Sequence, residues 1–472
     1  MRTTFHLKTL AVAIATLSVA SMTNAAGLDR SGQDVTAFFQ DGTYAEAVYT
    51  YIDADVSGYD SANTNPSQND YVRGDKTGDI AESYDFFRYG VKADINDTFS
   101  IGLLYDEPFG AAAEYTQSNF VSQGDVDASI ASITNGLVPS LAAAEGAIDS
   151  LAPFDGSLPA EQQAQLDSLR GAVAVAQAEA STAGENTNVE VRSQSLTGIL
   201  GMKFGANKNF QIYGGPVAQR TQSETKLRGL AYGPASGYTS NSNPDMDYGY
   251  IAGIAYSKPE IALKAALTYR SEIDHDIQIS ESYPLVAIRA TAAGATPEQA
   301  AVAANRNSKY EITTPKSVNF DFQTGINPTT LATAKVRWVP WSDFIITPPL
   351  YNDTSKISYG PDGLNLVEYK DDQWMVELGL AKRVAPALAI SGTVGWDSGA
   401  GDPTTSLGPV EGYYSVGLGA KYNVTENWAV SAGGKYLWFG DAKGQLPSDK
   451  IVGDFQDNDG YIAGVKLSYQ GK

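Results

Sequence analysis

The stretch 428-WAVSAGGKYLW-438 decides the fold. In an extended chain its side chains alternate between two faces. Trp428, Val430, Ala432, Gly434, Tyr436 and Trp438 form one face, and Ala429, Ser431, Gly433, Lys435 and Leu437 form the other. The first is apolar with an aromatic at each end, which suits a surface crossing lipid between two membrane interfaces; the second suits a crowded, partly polar lumen. The preceding segment repeats the scheme, with Tyr414, Val416, Leu418, Ala420 and Tyr422 against Tyr413, Ser415, Gly417, Gly419 and Lys421. So do Ile261, Leu263, Ala265, Leu267 and Tyr269 against Lys264, Thr268 and Arg270, and Trp374, Val376, Leu378 and Leu380 against Glu377 and Gly379. Soluble sandwiches also alternate, but they have no need of an aromatic at the end of so many outward faces.

Working outward from these segments, strands are expected at 44–58, 80–95, 98–114, 188–204, 209–228, 244–257, 260–280, 310–326, 329–346, 365–383, 386–398, 410–423, 427–442 and 450–469. Short turns fall at Asn96-Asp97, Gly205–Lys208, Lys258-Pro259, Asn327-Pro328, Val384-Ala385 and Val424–Glu426, and long links at 59–79, 115–187, 229–243, 281–309, 347–364, 399–409 and 443–449. Short periplasmic turns alternating with long extracellular loops, on an even strand count, is the rule of outer-membrane barrels. The expected fold is all-β: a fourteen-stranded antiparallel transmembrane β-barrel spanning 44–472, with 115–187 and 281–309 as long extracellular loops.

The N-terminus fits export. Arg2 and Lys8 precede or flank a short apolar core from Leu10 to Ala20, and Thr23-Asn24-Ala25 supplies small residues for a signal peptidase. Residues 1–25 read as a secretory signal peptide, too short to span a bilayer as a helix. The chain has no cysteine, so disulfides do not hold it. Nothing after the signal reaches the run of about eighteen apolar residues that a membrane helix needs. A mean hydropathy of -0.22 is compatible with a barrel, whose membrane signal lies in alternation. A net charge of -21 argues against nucleic acid and anionic lipid surfaces as partners and fits acidic extracellular loops. The end of the chain, 464-GVKLSYQGK-472, resembles the signal read by the barrel-assembly machinery, with the usual terminal aromatic displaced by three residues.

The sequence offers no catalytic or metal constellation. Once the signal leaves with His6, the only histidine is His275, among Glu272, Asp274 and Asp276, and a Ser-His or Asp-His hydrolase would have to use it. At the outer end of a strand it reads as a solvated side chain. Asp454, Asp457, Asp459 and Gly460 hint at a calcium loop, but Phe455 and Lys466 break the spacing. No zinc cluster, phosphate loop or dinucleotide fingerprint appears, and no cofactor or metal is expected.

Several segments resemble the FadL-type long-chain fatty-acid transporters of the outer membrane: 266-ALTYRSEIDHDIQI-279, 98-TFSIGLLYDEPFGAAAEY-115, 337-RWVPWSDF-344 and 394-VGWDSGAGDP-403. The similarity runs from the first strand to the last. It implies a barrel plugged from within by an N-terminal hatch, here only 26–43 with Phe38 and Phe39, and lacking the family's Asn-Pro-Ala motif. It implies capture of ligand in an extracellular groove, which Leu151, Phe154, Leu158, Leu166 and Leu169 of the Ala-rich loop would line unless they only pack loop helices together. It also implies a cation for a fatty-acid carboxylate: Lys226 matches that position near the extracellular end of the fifth strand, with Arg228 close by, or else Lys226 is a solvated loop charge. The lysine that the family carries after the WSxF run is absent, since Ile345-Ile346-Thr347-Pro348 follows Phe344.

The family's lateral exit through a kinked third strand has a counterpart in the residues themselves. Pro108 lies within the expected strand 98–114, followed by Gly110. Proline cannot donate to a β-ladder and is excluded from central strands unless a bulge or break exists. The alternative to a gap for a greasy ligand is a bulge above the membrane. The expected function is therefore passive transport, by a monomer set in outer-membrane lipid and lipopolysaccharide, of long-chain fatty acids or similar hydrophobic compounds. A general water-filled porin is the rival, and a barrel hydrolase the third reading.

Overall fold

Period-two alternation becomes a closed wall. In the computed structural model, which describes residues 28–64, 69–122 and 125–471, fourteen strands form one antiparallel ring. Residues 1–25, read as a signal peptide, lie outside the described residues. The strands are β1 (Tyr44–Asp55), β2 (Tyr84–Asp94), β3 (Phe99–Asp106 and Gly110–Tyr115), β4 (Thr187–Phe204), β5 (Phe210–Lys226), β6 (Asp245–Lys258), β7 (Leu263–Arg270 and Ile273–Ser282), β8 (Asn305–Thr314 and Ser317–Asn327), β9 (Thr330–Val339), β10 (Gln373–Ala385), β11 (Leu388–Asp397), β12 (Glu411–Asn423), β13 (Trp428–Gly440) and β14 (Asp459–Gln470). β1 pairs with β14 from Tyr44↔Gln470 to Asp55↔Asp459, so the ring has no free edge. In lipid this matters, because an unpaired backbone group in hydrocarbon costs several kcal/mol.

The two faces separate as the sequence implies. On β12, Tyr414, Val416, Leu418 and Tyr422 are exposed, whereas Ser415 and Lys421 are buried. On β13, Trp428, Val430, Tyr436 and Trp438 are exposed, and Ala429, Ser431 and Leu437 are buried. The outward side chains are the lipid face and the aromatics mark its borders.

Three expected strand ends shift. The expected strand 329–346 stops at Val339, because Pro340 removes the next ladder donor. Trp341–Asp343 then makes a tight turn and Ile345–Ile346 pairs with Val367–Glu368 above the wall. The expected strand 365–383 accordingly begins only at Gln373. Of the expected strand 450–469, Ile451–Phe455 leaves the ring for an outer sheet with Ser57–Ser61, Arg73–Asp79, Ala442–Gln445 and Thr404–Thr405. The two long loops fold as helices: α1 (Val126–Ile133), α2 (Leu141–Leu151), α3 (Ala160–Ala180), α4 (Pro284–Ala292) and α5 (Pro297–Ala304), with α6 (Pro349–Tyr359) in the next loop.

The segment from Leu28 to Asp41 runs inside the ring. Its turn Thr36–Phe39 lies near the periplasmic end, where Phe38 packs on Tyr213 with ring centroids 5.8 Å apart. Gly102 and Gly201 leave the space: a Cβ on either would stand 2.7 Å from the Phe38 ring.

Leu418 sits mid-strand on the lipid face. Leu418→Arg is expected to lower the stability of the vesicle-refolded barrel by about 2–4 kcal/mol in denaturant titration. Leu418→Ala is expected to lower it far less.

Candidate functional site

Strand β3 is broken at Glu107-Pro108-Phe109. Below the break it pairs with β2 from Asp94↔Ser100 to Tyr89↔Tyr105. Above it, Gly110–Tyr115 stays on β4 with the register moved by one residue, and Phe109 is tied to Ser193 by its N–H (2.8 Å to Oγ) and its carbonyl. Among the described residues, Tyr84–Arg88 of β2 pair only with β1 and exchange no backbone hydrogen bonds with β3. The wall therefore has a slot between Tyr84–Arg88 and the residues around Pro108, bounded above where Glu82 N–H meets the Ala112 carbonyl at 3.2 Å and Glu114 N–H meets the Ile80 carbonyl at 2.9 Å.

The N-terminal segment fills this slot from inside. Arg30 N–H donates to the Pro108 carbonyl at 2.8 Å, Gly110 N–H donates to the Leu28 carbonyl at 2.8 Å, and Asp29 stands opposite Phe109 as a single antiparallel bridge. These are the backbone groups of β3 that face β2, so three residues of the N-terminal segment act as a surrogate strand. The Arg30 guanidinium lies 3.9 Å from the Tyr84 ring centroid, closing the slot by a cation–π contact. At Gly110 a Cβ would meet the guanidinium carbon at 2.3 Å, so a larger residue there would push the Arg30 side chain off Tyr84.

Charge pairs anchor the same segment to the opposite wall. Arg337 of β9 grips Asp29 through two parallel bonds of 2.6 and 3.0 Å, both side chains being buried. Asp34 receives Lys335 at 2.8 Å and lies 3.5 Å from Arg88. Burial alone would raise the Asp34 carboxyl, but Lys335 and Arg88 outweigh it and hold it well below the usual carboxylate range. Ser31 donates to Asp106 at 2.8 Å, and Lys264 donates to the Phe39 carbonyl at 2.6 Å.

The segment divides the lumen in two. On its periplasmic side a cavity of about 210 Å³ is lined by Phe38 and Phe39 but also by Lys92, Lys203, Lys264, Asp321, Lys335 and Glu377. On its extracellular side lies a smaller cavity of about 50 Å³, walled by Leu28, Ala111, Val189, Val191, Tyr310, Leu366, Val367 and Leu407. Its polar groups are the hydroxyl-bearing residues Ser223, Thr225, Ser240, Thr405, Tyr310 and Tyr369, with no charged side chain. Phe109 and Trp341, with ring centroids 5.7 Å apart, belong to the same apolar cluster. An apolar chamber thus rests on the tip of the N-terminal segment, beside the slot it closes.

Several expected site residues fall elsewhere. Lys226 shares the outward parity of β5 with Phe210, Ile212, Arg220 and Gln222, and it pairs with Glu224 at 3.0 Å; it does not enter the lumen. Arg228 is buried, but its guanidinium is taken up by the Leu227 and Tyr238 carbonyls at 2.9 and 2.7 Å, by Thr239 and by Glu185, so it braces a loop. The five loop residues form no common groove. Leu166 and Leu169 are buried, Leu169 among Ile130, Ala144 and Val173 of the loop helices, while Leu151 and Leu158 are half-buried and Phe154 is exposed. His275 is not solvated at a strand end. It is wholly buried and faces inward with Ile273 and Ile277. Asp29, Arg30, Asp34 and Arg337 escaped notice because their partners lie far away in sequence and no local period marks them.

Comparison with known proteins agrees with this architecture. The description of outer membrane protein transport proteins (OMPP1/FadL/TodX) matches residues 171–470. A FadL homologue from Pseudomonas aeruginosa superposes with a TM-score of 0.59 at 14% identity, over 94% of this chain and 95% of that one. The toluene transporter TodX of P. putida superposes with a TM-score of 0.51 at 12% identity, over 96% of this chain and 94% of the other. No curated protein sequence matches.

The anchoring pairs have a measurable consequence. Removing one partner of a buried pair leaves an uncompensated charge and costs about 3–5 kcal/mol. In Arg337→Met, amide hydrogen exchange over 28–41 is expected to speed up by the equivalent of about 3 kcal/mol. Combining it with Asp29→Asn is expected to recover much of that protection.

Proposed function

The chain belongs to the outer membrane protein transport family OMPP1/FadL/TodX, channels for hydrophobic compounds in the outer membrane, and from that membership we propose that it passes a hydrophobic small molecule into the membrane through the slot between β2 and β3. The observation that carries the reading is the apolar chamber seated on Leu28 and walled by Ala111, next to a break in the barrel that the N-terminal segment fills. A ligand entering from outside settles in the chamber. Release of Leu28–Ser31 from Pro108–Gly110 then opens a sideways path, and the ligand avoids the charged periplasmic half of the lumen. No chemistry is done on it. Phe38, Phe39 and the segment around them serve as the hatch, and Pro108 and Gly110 as the lateral gate.

The substrate class is long-chain fatty acids or similar hydrophobic compounds. With Lys226 on the outer face and no charge on the chamber wall, the lining suits an uncharged molecule of the kind carried by the toluene transporter better than a carboxylate. The chamber, at about 50 Å³, has to widen to take it. The rival water-filled porin would need an open path past Leu28–Asp41, which the buried charge pairs oppose.

The absence of native cysteine makes a direct test simple. In the double variant Asp29→Cys, Phe109→Cys, oxidation should bond the bridge pair and hold the gate shut. Uptake of a hydrophobic tracer into cells or liposomes is expected to fall roughly tenfold or more when oxidised, and to return with reductant. Undiminished uptake through the locked barrel would refute the lateral route.

A further inference from the structure

A second interruption of the wall lies between β6 and β7. The first segment of β7 pairs with β6 from Lys258↔Leu263 to Ile251↔Arg270, and its second segment pairs from Ile279 to Ser282 with the short strand Thr239–Ser242. Between these ladders two backbone hydrogen bonds remain, Ser271 N–H to Tyr250 O at 3.0 Å and Asn243 N–H to Gln278 O at 2.9 Å. Residues 244–249 and 272–277 exchange none. Arg270 and Ile273 are both buried although three residues apart, so the inward parity of β7 changes at Ser271-Glu272. That change turns His275 to the same inner side as Asp245 and Asp247 of β6. One ligand atom from each of the three lies within 4.8 Å of the others.

The hydrogen bonding of His275 points to a cation. Gln219 Oε1 accepts from Thr314 Oγ1 at 2.7 Å and faces His275 Nε2 at 3.1 Å, and with the amide in this orientation the imidazole proton sits on Nε2. Nδ1 then presents a lone pair to Asp245 Oδ2 at 3.4 Å. That is longer than the about 2.7–2.9 Å of a charge-assisted hydrogen bond. By contrast, nitrogen and oxygen ligands about 2.0–2.1 Å from a tetrahedral zinc stand roughly 3.3–3.4 Å apart. A metal-bound histidine also characteristically donates its other N–H to a carbonyl or carboxylate, as His275 does to Gln219. Asp274 and Asp276 take the opposite, outward parity of β7, so the carboxylates on the inner side with His275 are Asp245 and Asp247.

We propose that Asp245, Asp247 and His275 bind one divalent metal ion of the zinc type, which staples β6 to β7 where their backbone ladder is missing. The chain supplies three ligands and solvent the fourth. The site is apart from the chamber and from the β2–β3 slot. Its role is to keep this second seam closed, so that the ligand leaves only at Pro108.

The full-length barrel, purified in detergent and stripped with EDTA, is titrated with zinc chloride in a calorimeter. The wild type is expected to bind a single zinc and to unfold at a higher temperature with it. Asp247→Asn and His275→Gln are each expected to weaken binding roughly tenfold or more, and to lose the thermal shift. Gln219→Leu, which keeps all three ligands, is expected to weaken it by about tenfold. Folding of each variant is read separately from its heat-dependent gel mobility. Failure of the wild type to bind zinc, or unchanged affinity in a folded Asp247→Asn variant, would overturn the proposal.

Discussion

A backbone amide or carbonyl in a membrane wall can bond only to another strand, and at Pro108 this barrel withdraws that partner. Everything distinctive in the interior follows from how the deficit is met. Arg30 and Leu28 offer their backbone groups to Pro108 and Gly110, and the Arg30 side chain caps the opening against Tyr84. The substitute strand is short, and on its own two or three hydrogen bonds of about 1 kcal/mol each would hold it weakly. The bonds to Arg337, Lys335 and Lys264 supply the remaining hold. A closure of this kind is strong enough to seal and small enough to open.

The same arrangement separates two environments. Above the N-terminal segment the walls are Leu28, Val189, Val191, Leu366 and Leu407, a surface from which water is readily displaced by a greasy ligand. Below it, lysines and carboxylates line a wet vestibule that offers such a ligand nothing. This contrast is what the proposed sideways route into lipid relies on. The zinc-type site proposed between β6 and β7 fits this logic, since a second leak in the wall would defeat the directionality of the first.

Much of the wall was legible because alternation is a local rule. The faces of 413–422 and 428–438 could be assigned by counting alone, and Pro108 announced its break by lacking a donor. Counting would also have corrected two errors. Continued along β5 from Phe210 and Ile212, it puts Lys226 on the outer face, and in 273-IDHDIQI-279 it places His275 with Ile273 and Ile277. The closure of the slot was not legible. Asp29 and Arg337 are brought together only when the ring closes around the N-terminal segment, and no periodicity connects them. The loop leucines failed as a groove for a related reason: an apolar stripe on a helix records that something covers it, and here the cover for Leu169 is the neighbouring loop helices.

On the proposed route, ligand and surrogate strand compete for one gate. Amide hydrogen exchange at Arg30 and Gly110, measured in lipid nanodiscs with and without a saturating hydrophobic ligand, tests it most directly. If the claim is right, both amides are protected in the empty barrel and exchange at least tenfold faster when ligand is bound. If they stay equally protected while the ligand is being transported, the exit lies elsewhere.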